Sequence, residues 1–216
     1  NGKLYSGGMF TNAGGVLANR VACWDGANWT NLGTGMNGSS VNALEIDTNG
    51  DLYAGGWFTI VGGITNCLRI ARWDGTSWTN LDVGLNNTVS ALAHDGNNNI
   101  YVGGNFATAG VVSASRIAKW DGASWTNLGS GLNNSANALV YDKTNNILYA
   151  GGIFVTAGGV TVNRIAKWNG GNWTNLVVSG MNNTVNALAL STNGELFAGG
   201  AFTNAGGISA LRIAKW

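Results

Sequence analysis

The sequence predicts an all-β fold, a β-propeller of about five four-stranded antiparallel blades with the terminal blades incomplete. Three observations predict it. Gly-Gly pairs recur at 7–8, 55–56, 103–104, 151–152 and 199–200, a period of 48 residues in a chain of 216, and a period in this range marks a solenoid, propeller or array. Each period holds four short strand-like runs separated by turn signals, with no helical periodicity. The stretch RIAxWDGxxWTNL closes nearly every period and places two tryptophans around a two-residue turn. A β-solenoid is the alternative, although its usual repeat is shorter.

One unit, 41–81, reads VNALEIDTNGDLYAGGWFTIVGGITNCLRIARWDGTSWTNL. The first strand, VNALEID, alternates and ends at Asn49-Gly50, a signal for a type I′ hairpin turn. DLYAGGWF is the second strand, and its glycines permit close backbone approach where strands crowd near an axis. TIVGGITN reads as a Gly-rich loop leading to the third strand, CLRIARW. In WDGTSW, a turn at Gly75-Thr76 sets Trp73 directly opposite Trp78. Trp24/Trp29, Trp120/Trp125 and Trp168/Trp173 repeat that spacing. A cross-strand aromatic pair contributes about 0.2–1 kcal/mol, so the recurring stretch is a core-making hairpin.

Repetition separates blade chemistry from the rest. Arg20, Arg69, Arg116, Arg164 and Arg212 recur, either as a guanidinium ring for anions or as arginines stacked on tryptophan or paired with aspartate. The second is favoured. Arg72, Lys119, Lys167 and Lys215 stand three positions further on, which puts them on the opposite strand face. Asp25, Asp74, Asp121 and Asn169 occupy hairpin corners and read as turn residues. Counted by type, the second and third strands occur five times each, and the first and fourth four times. Residues 1–216 thus read as a single repeat domain of 4.5 repeats, eighteen strands in all. Unpaired edges are generally avoided, which predicts a segment of a longer array or edge-to-edge self-association, as in a filament.

Strand, turn, strand ending in Gly-Gly, loop, then Arg-x-Ala-x-Trp-Asp-Gly-x-x-Trp resembles a Kelch-type propeller blade. GGxFTxAGG, RIAKWDGxxWTNLG and GxNxxVxAL are similar, over the whole chain, to repeat arrays of large secreted bacterial proteins and of fungal cell-polarity surface proteins. The resemblance implies an extracellular or surface-displayed propeller without catalysis, and it carries no functional residues across, because its signature residues are structural.

The remaining composition excludes several functions. Net charge is +1, which offers nothing to nucleic acid or acidic membranes. The most apolar run, 147–162, is too short and Gly-broken for a membrane helix. Charged residues make up only 10% of the chain, so Asn, Thr and Ser carry the polarity, which favours an extracellular setting. Cys23 and Cys67 are the only cysteines. They read as free thiols, since adjacent blades set them beyond the ~7 Å Cα limit for a disulfide. His94 is the single histidine, so multi-histidine metal sites are absent and a Ser or Cys triad would have to use it. Among Glu45, Asp51, Asp82, Asp95, Asp142 and Glu195 no spacing singles out a catalytic pair. Asp47-Thr48-Asn49-Gly50-Asp51 lacks the bidentate Glu of a calcium loop. No cofactor is expected.

Departures from the repeat are the binding candidates. The residue after each Gly-Gly is Met9, Trp57, Asn105, Ile153 or Ala201. Trp57 alone among the tryptophans breaks register, and either stacks on a sugar or fills space between blades. Trp57, Asn105 and His94 are the candidate ligand residues. Asn28, Asn37, Asn86, Asn133, Asn172 and Asn182 open Asn-x-Ser/Thr sequons. The favoured function is a non-catalytic extracellular structural or adhesion scaffold. The alternatives are a lectin with sites between blades, gaining from multivalency, and a carboxylate hydrolase.

Overall fold

The structure, a computed structural model, describes residues 2–177 and 179–216. The described residues are all-β without helices, in five larger antiparallel sheets of three, four, four, four and three strands and five two-stranded hairpins. The second sheet shows the plan. Ser40–Ile46, Leu52–Trp57, Ile70–Trp73 and Trp78–Asn80 lie side by side in chain order, each pairing with the next. The first sheet holds Leu4–Gly7, Val21–Trp24 and Trp29–Asn31, and the last holds Val185–Leu190, Leu196–Gly200 and Ile213–Lys215. These are the eighteen strands counted from the sequence.

The tryptophan hairpins form as the spacing requires. Trp73 pairs with Trp78, and the same register joins Trp24 to Trp29, Trp120 to Trp125 and Trp168 to Trp173. Ring centroids lie 5.1–5.7 Å apart in tilted pairs, within the favourable aromatic range. At each corner the Asp side chain accepts from the backbone. Asp74 Oδ1, for example, takes the N–H groups of Thr76 and Ser77, both at 2.8 Å.

Those backbone bonds hold the Asp25, Asp74 and Asp121 carboxyls below the usual carboxylate range. A depressed folded-state pKa adds stability above the usual value and loses it as pH falls through the folded value. Asn169 makes the same bonds without a charge. An Asp25/Asp74/Asp121→Asn triple variant is therefore expected to lose stability less steeply than wild type below about pH 4. Superimposable acid-unfolding curves would show that the corner carboxylates contribute nothing to acid sensitivity.

Three local expectations are corrected. Asn49-Gly50 is not a two-residue type I′ turn: Asp47 N–H donates to the Asp51 carbonyl at 3.0 Å, and only Gly50 takes positive φ, at +87°. Asp47 Oδ1 accepts from the N–H groups of Asn49 and Asp51 and so holds the wider loop. The Gly-rich loop is itself a small hairpin, Ile60–Val61 against Ile64–Thr65, with Gly62 and Gly63 both at positive φ. Equivalent hairpins occur in all five repeats. The recurrent arginines precede the third strand instead of lying in it, all at φ between +68° and +74°, so strand periodicity does not relate them to the lysine row. Their side chains explain the strained backbone. Nη1 of Arg20, Arg69 and Arg116 donates to the carbonyls of Phe10, Phe58 and Phe106, and the arginine N–H groups bond the same oxygens.

The core lies between sheets. Four apolar clusters each join one repeat to the next, and no cluster joins the first sheet to the last among the described residues. Stability in such an array is close to a sum of nearest-neighbour terms. Two devices tighten the junctions, the first at three of the four and the second at all four. Trp78, Trp125 and Trp173 donate Nε1–H to the carbonyls of Leu32, Leu81 and Leu128 in the preceding repeat. The first glycine of each Gly-Gly in the first four repeats faces the next repeat's first strand: a Cβ on Gly55 would stand 2.3 Å from Val89 Cγ1. Cys23 and Cys67 are free and buried.

Candidate functional site

The carboxylates do not converge on a catalytic pair. Glu45 meets His94 at 2.6 Å, Asp51 meets Arg72, and Glu195 meets Lys215 at 2.7 Å. Asp95 and Asp142 cap their own turns through backbone N–H groups. Among the described residues no three His, Cys, Asp or Glu side chains are placed to hold a metal. The recurrent sequon asparagines are largely engaged: Oδ1 of Asn37, Asn86, Asn133 and Asn182 each accepts two backbone N–H groups beside a small hairpin.

The three candidate ligand residues lie at two ends of the sheets. Trp57 closes the second strand opposite Ser40, is 41% exposed, and carries the Arg69 guanidinium over its ring at 4.0 Å. It stacks on the arginine of its own repeat. Asn105, at the same strand end one repeat on, accepts from Ser135 Oγ at 3.2 Å. His94 pairs with Ile100 at the far end, beside the turn. There Nδ1 meets Glu45, and Nε2 meets Lys143 Nζ at 2.8 Å. With Lys143 as donor, the neutral ring donates from Nδ1, so one hydrogen-bonded chain links three successive repeats. His94 is thus held apart from Trp57 and Asn105.

The turn end also carries a feature that sequence reasoning missed. Clefts open there between successive repeats, each lined by the second-strand tyrosine of one repeat and the corner glycine of the next. Tyr5 and Gly75 line the first, Tyr53 and Gly122 the second, Tyr101 and Gly170 the third. The second cleft has a volume of about 290 Å³ and also receives Asp47, Asp51, Arg72, Asn98 and Trp120. Arg72 donates to Asp51 Oδ2 from Nε at 2.7 Å and from Nη2 at 2.5 Å. Asn98 closes the rim, its Oδ1 accepting from Thr48 Oγ1 at 2.6 Å and Asn49 Nδ2 at 3.2 Å. Burial pushes the Tyr53 hydroxyl up to about 12, so it stands in the cleft as a neutral O–H group at ordinary pH. The signal was present in the sequence: Asp51 is Lys3 and Asn99 in the neighbouring repeats, and Arg72 is Cys23 and Lys119. The Asp–Arg pair thus lines one of these three clefts, between residues 21 positions apart, and the last sheet carries the equivalent pair as Glu195–Lys215.

No family model matches the chain, and no curated protein matches it. Among solved structures, the chain is similar to the extracellular domain of a hybrid two-component system from B. thetaiotaomicron, with a TM-score of 0.55 and 16% identity over 83% of this chain. The chain spans 22% of that chain's length. At this identity the likeness shows a fold. No helix among the described residues is long and apolar enough to cross a membrane.

Proposed function

We propose that this chain is a non-catalytic extracellular scaffold whose sheets are Kelch-like propeller blades, serving structure or adhesion through self-association. One observation carries the reading: the residues that recur are engaged in holding the array together. Trp78, Trp125 and Trp173 tie the second, third and fourth repeats to their predecessors, the arginines bond the Phe carbonyls, and the asparagines bracket the small hairpins. The extracellular setting of the structural neighbour and the low charge of the chain support the location.

The test pairs activity with assembly. Purified protein is expected to turn over no glycoside, ester or peptide substrate, and light scattering is expected to show assembly that grows with concentration. Glycoside turnover abolished by one carboxylate substitution would replace the scaffold reading with a hydrolase. A concentration-independent monomer would remove the self-association.

A further inference from the structure

We infer that the cleft between the second and third sheets is a binding site for one neutral pyranose residue, held by Asp47, Asp51, Tyr53 and Arg72 beside Trp120. The inference goes beyond the scaffold reading, which needs no ligand. Its first support is an unpartnered polar group. Tyr53 is 3% exposed, yet its hydroxyl has no hydrogen-bond partner among the described residues. The fully enclosed unpaired side-chain atoms among them are Arg69 and Arg116 Nε, so the Tyr53 oxygen is open to solvent. The cleft it lines is its opening. Its partner therefore comes from the cleft, where a ligand hydroxyl can take the place of water.

The second support is the donor set. Asp51 binds Arg72 through Oδ2, and Asp47 meets its turn through Oδ1, which leaves one oxygen on each carboxylate as an acceptor. Arg72 Nη1 and the Tyr53 O–H are donors beside them. Closely spaced acceptors and donors match vicinal hydroxyls, each of which gives and takes one hydrogen bond. Trp120 adds an apolar wall beside these groups. The volume, about 290 Å³, lies at the lower limit of the roughly 300–1,000 Å³ of small-molecule sites and calls for a single ring.

Charge selects the class. Asp47, Asp51 and Asp121 face one guanidinium, Arg72, so the net negative field disfavours acidic sugars and phosphates. The absence of a third clustered ligand among the described residues argues against a metal ion. The neighbouring clefts lack the Asp–Arg pair, which sets this cleft apart from the other two.

The experiment is saturation-transfer NMR with calorimetry on the intact chain, using methyl pyranosides of the common neutral hexoses and, as an anionic probe, N-acetylneuraminic acid. At least one neutral pyranoside is expected to bind with a Kd of about 1 mM or tighter. Tyr53→Phe, which removes one oxygen and keeps the packing, should weaken binding about fivefold, and Arg72→Gln by at least about tenfold. Lys119→Gln, at the equivalent position of the next cleft, should leave affinity unchanged. Thermal melting confirms that each variant is folded. Lack of binding to every neutral pyranoside, equal affinity in Tyr53→Phe and Arg72→Gln, or a preference for the anionic sugar would overturn the assignment. None of these outcomes bears on self-association, so the scaffold reading stands or falls separately.

Discussion

Replacing Trp173 by alanine is expected to destabilise the chain by about 3–5 kcal/mol, as for other large buried aromatics. Trp173 is 3% exposed, at the third junction. Its ring packs 5.4 Å from Trp168, and Gly158 lies so close that a Cβ there would sit 3.0 Å from Trp173 Cδ1. Truncation removes all of this and orphans the Leu128 carbonyl, which now accepts Nε1–H at 2.9 Å. Trp173→Phe keeps most of the apolar surface and loses that bond, so a smaller loss of about 1–2 kcal/mol is expected. Trp57→Ala should cost less than Trp173→Ala, because that ring is 41% exposed and stacks only on Arg69. Urea titrations measure all three. Equal losses at Trp57 and Trp173 would show that Trp57 is core and that the junction tryptophans are not the main ties.

Gly104→Ala is the second large effect, with about 3 kcal/mol expected, at the upper end for overpacking. A Cβ on Gly104 would stand 2.1 Å from the Thr88 carbonyl oxygen and 3.0 Å from Val89 Cα. Both are backbone atoms, at and just before the start of the paired strand Val89–His94 and ahead of its bulge between Val89 and Ala91, so no side-chain rotation relieves the clash. Gly171→Ala is the control. Its Cβ would meet only Asn169 Oδ1, at 3.9 Å, and its φ is not positive. A melting temperature for Gly104→Ala equal to that of Gly171→Ala would refute the close approach of the two strands.

Both predictions bear on how much the sequence revealed. The 48-residue period, the four strands per unit and the Trp73–Trp78 register were legible because side-chain alternation and turn chemistry act within a few residues. The small hairpins were legible too, in Gly62-Gly63 and its copies, and were read as loops because their strands are two residues long. The left-handed arginines were not legible. Arg69 adopts that conformation because the Phe58 carbonyl, eleven residues back, accepts from both its backbone and its side chain.

The candidate cleft divides in the same way. That Asp51 replaces the Lys3 and Asn99 of the neighbouring repeats is written in the sequence. The pairing of Asp51 with Arg72 through the Leu52–Trp57 and Ile70–Trp73 strands, and the arrival of Trp120 and Asn98 from the next repeat, were decided only in three dimensions. By itself the sequence determined the strands, the hairpin corners and the repeat, because those follow from local backbone preference and alternation. The tertiary structure decided which repeat supplies each wall of the cleft, which tryptophan ties to which carbonyl, and why the Tyr53 hydroxyl is left open. These depend on how one sheet packs on the next, and packing geometry between segments some 45 residues apart leaves no trace in local periodicity.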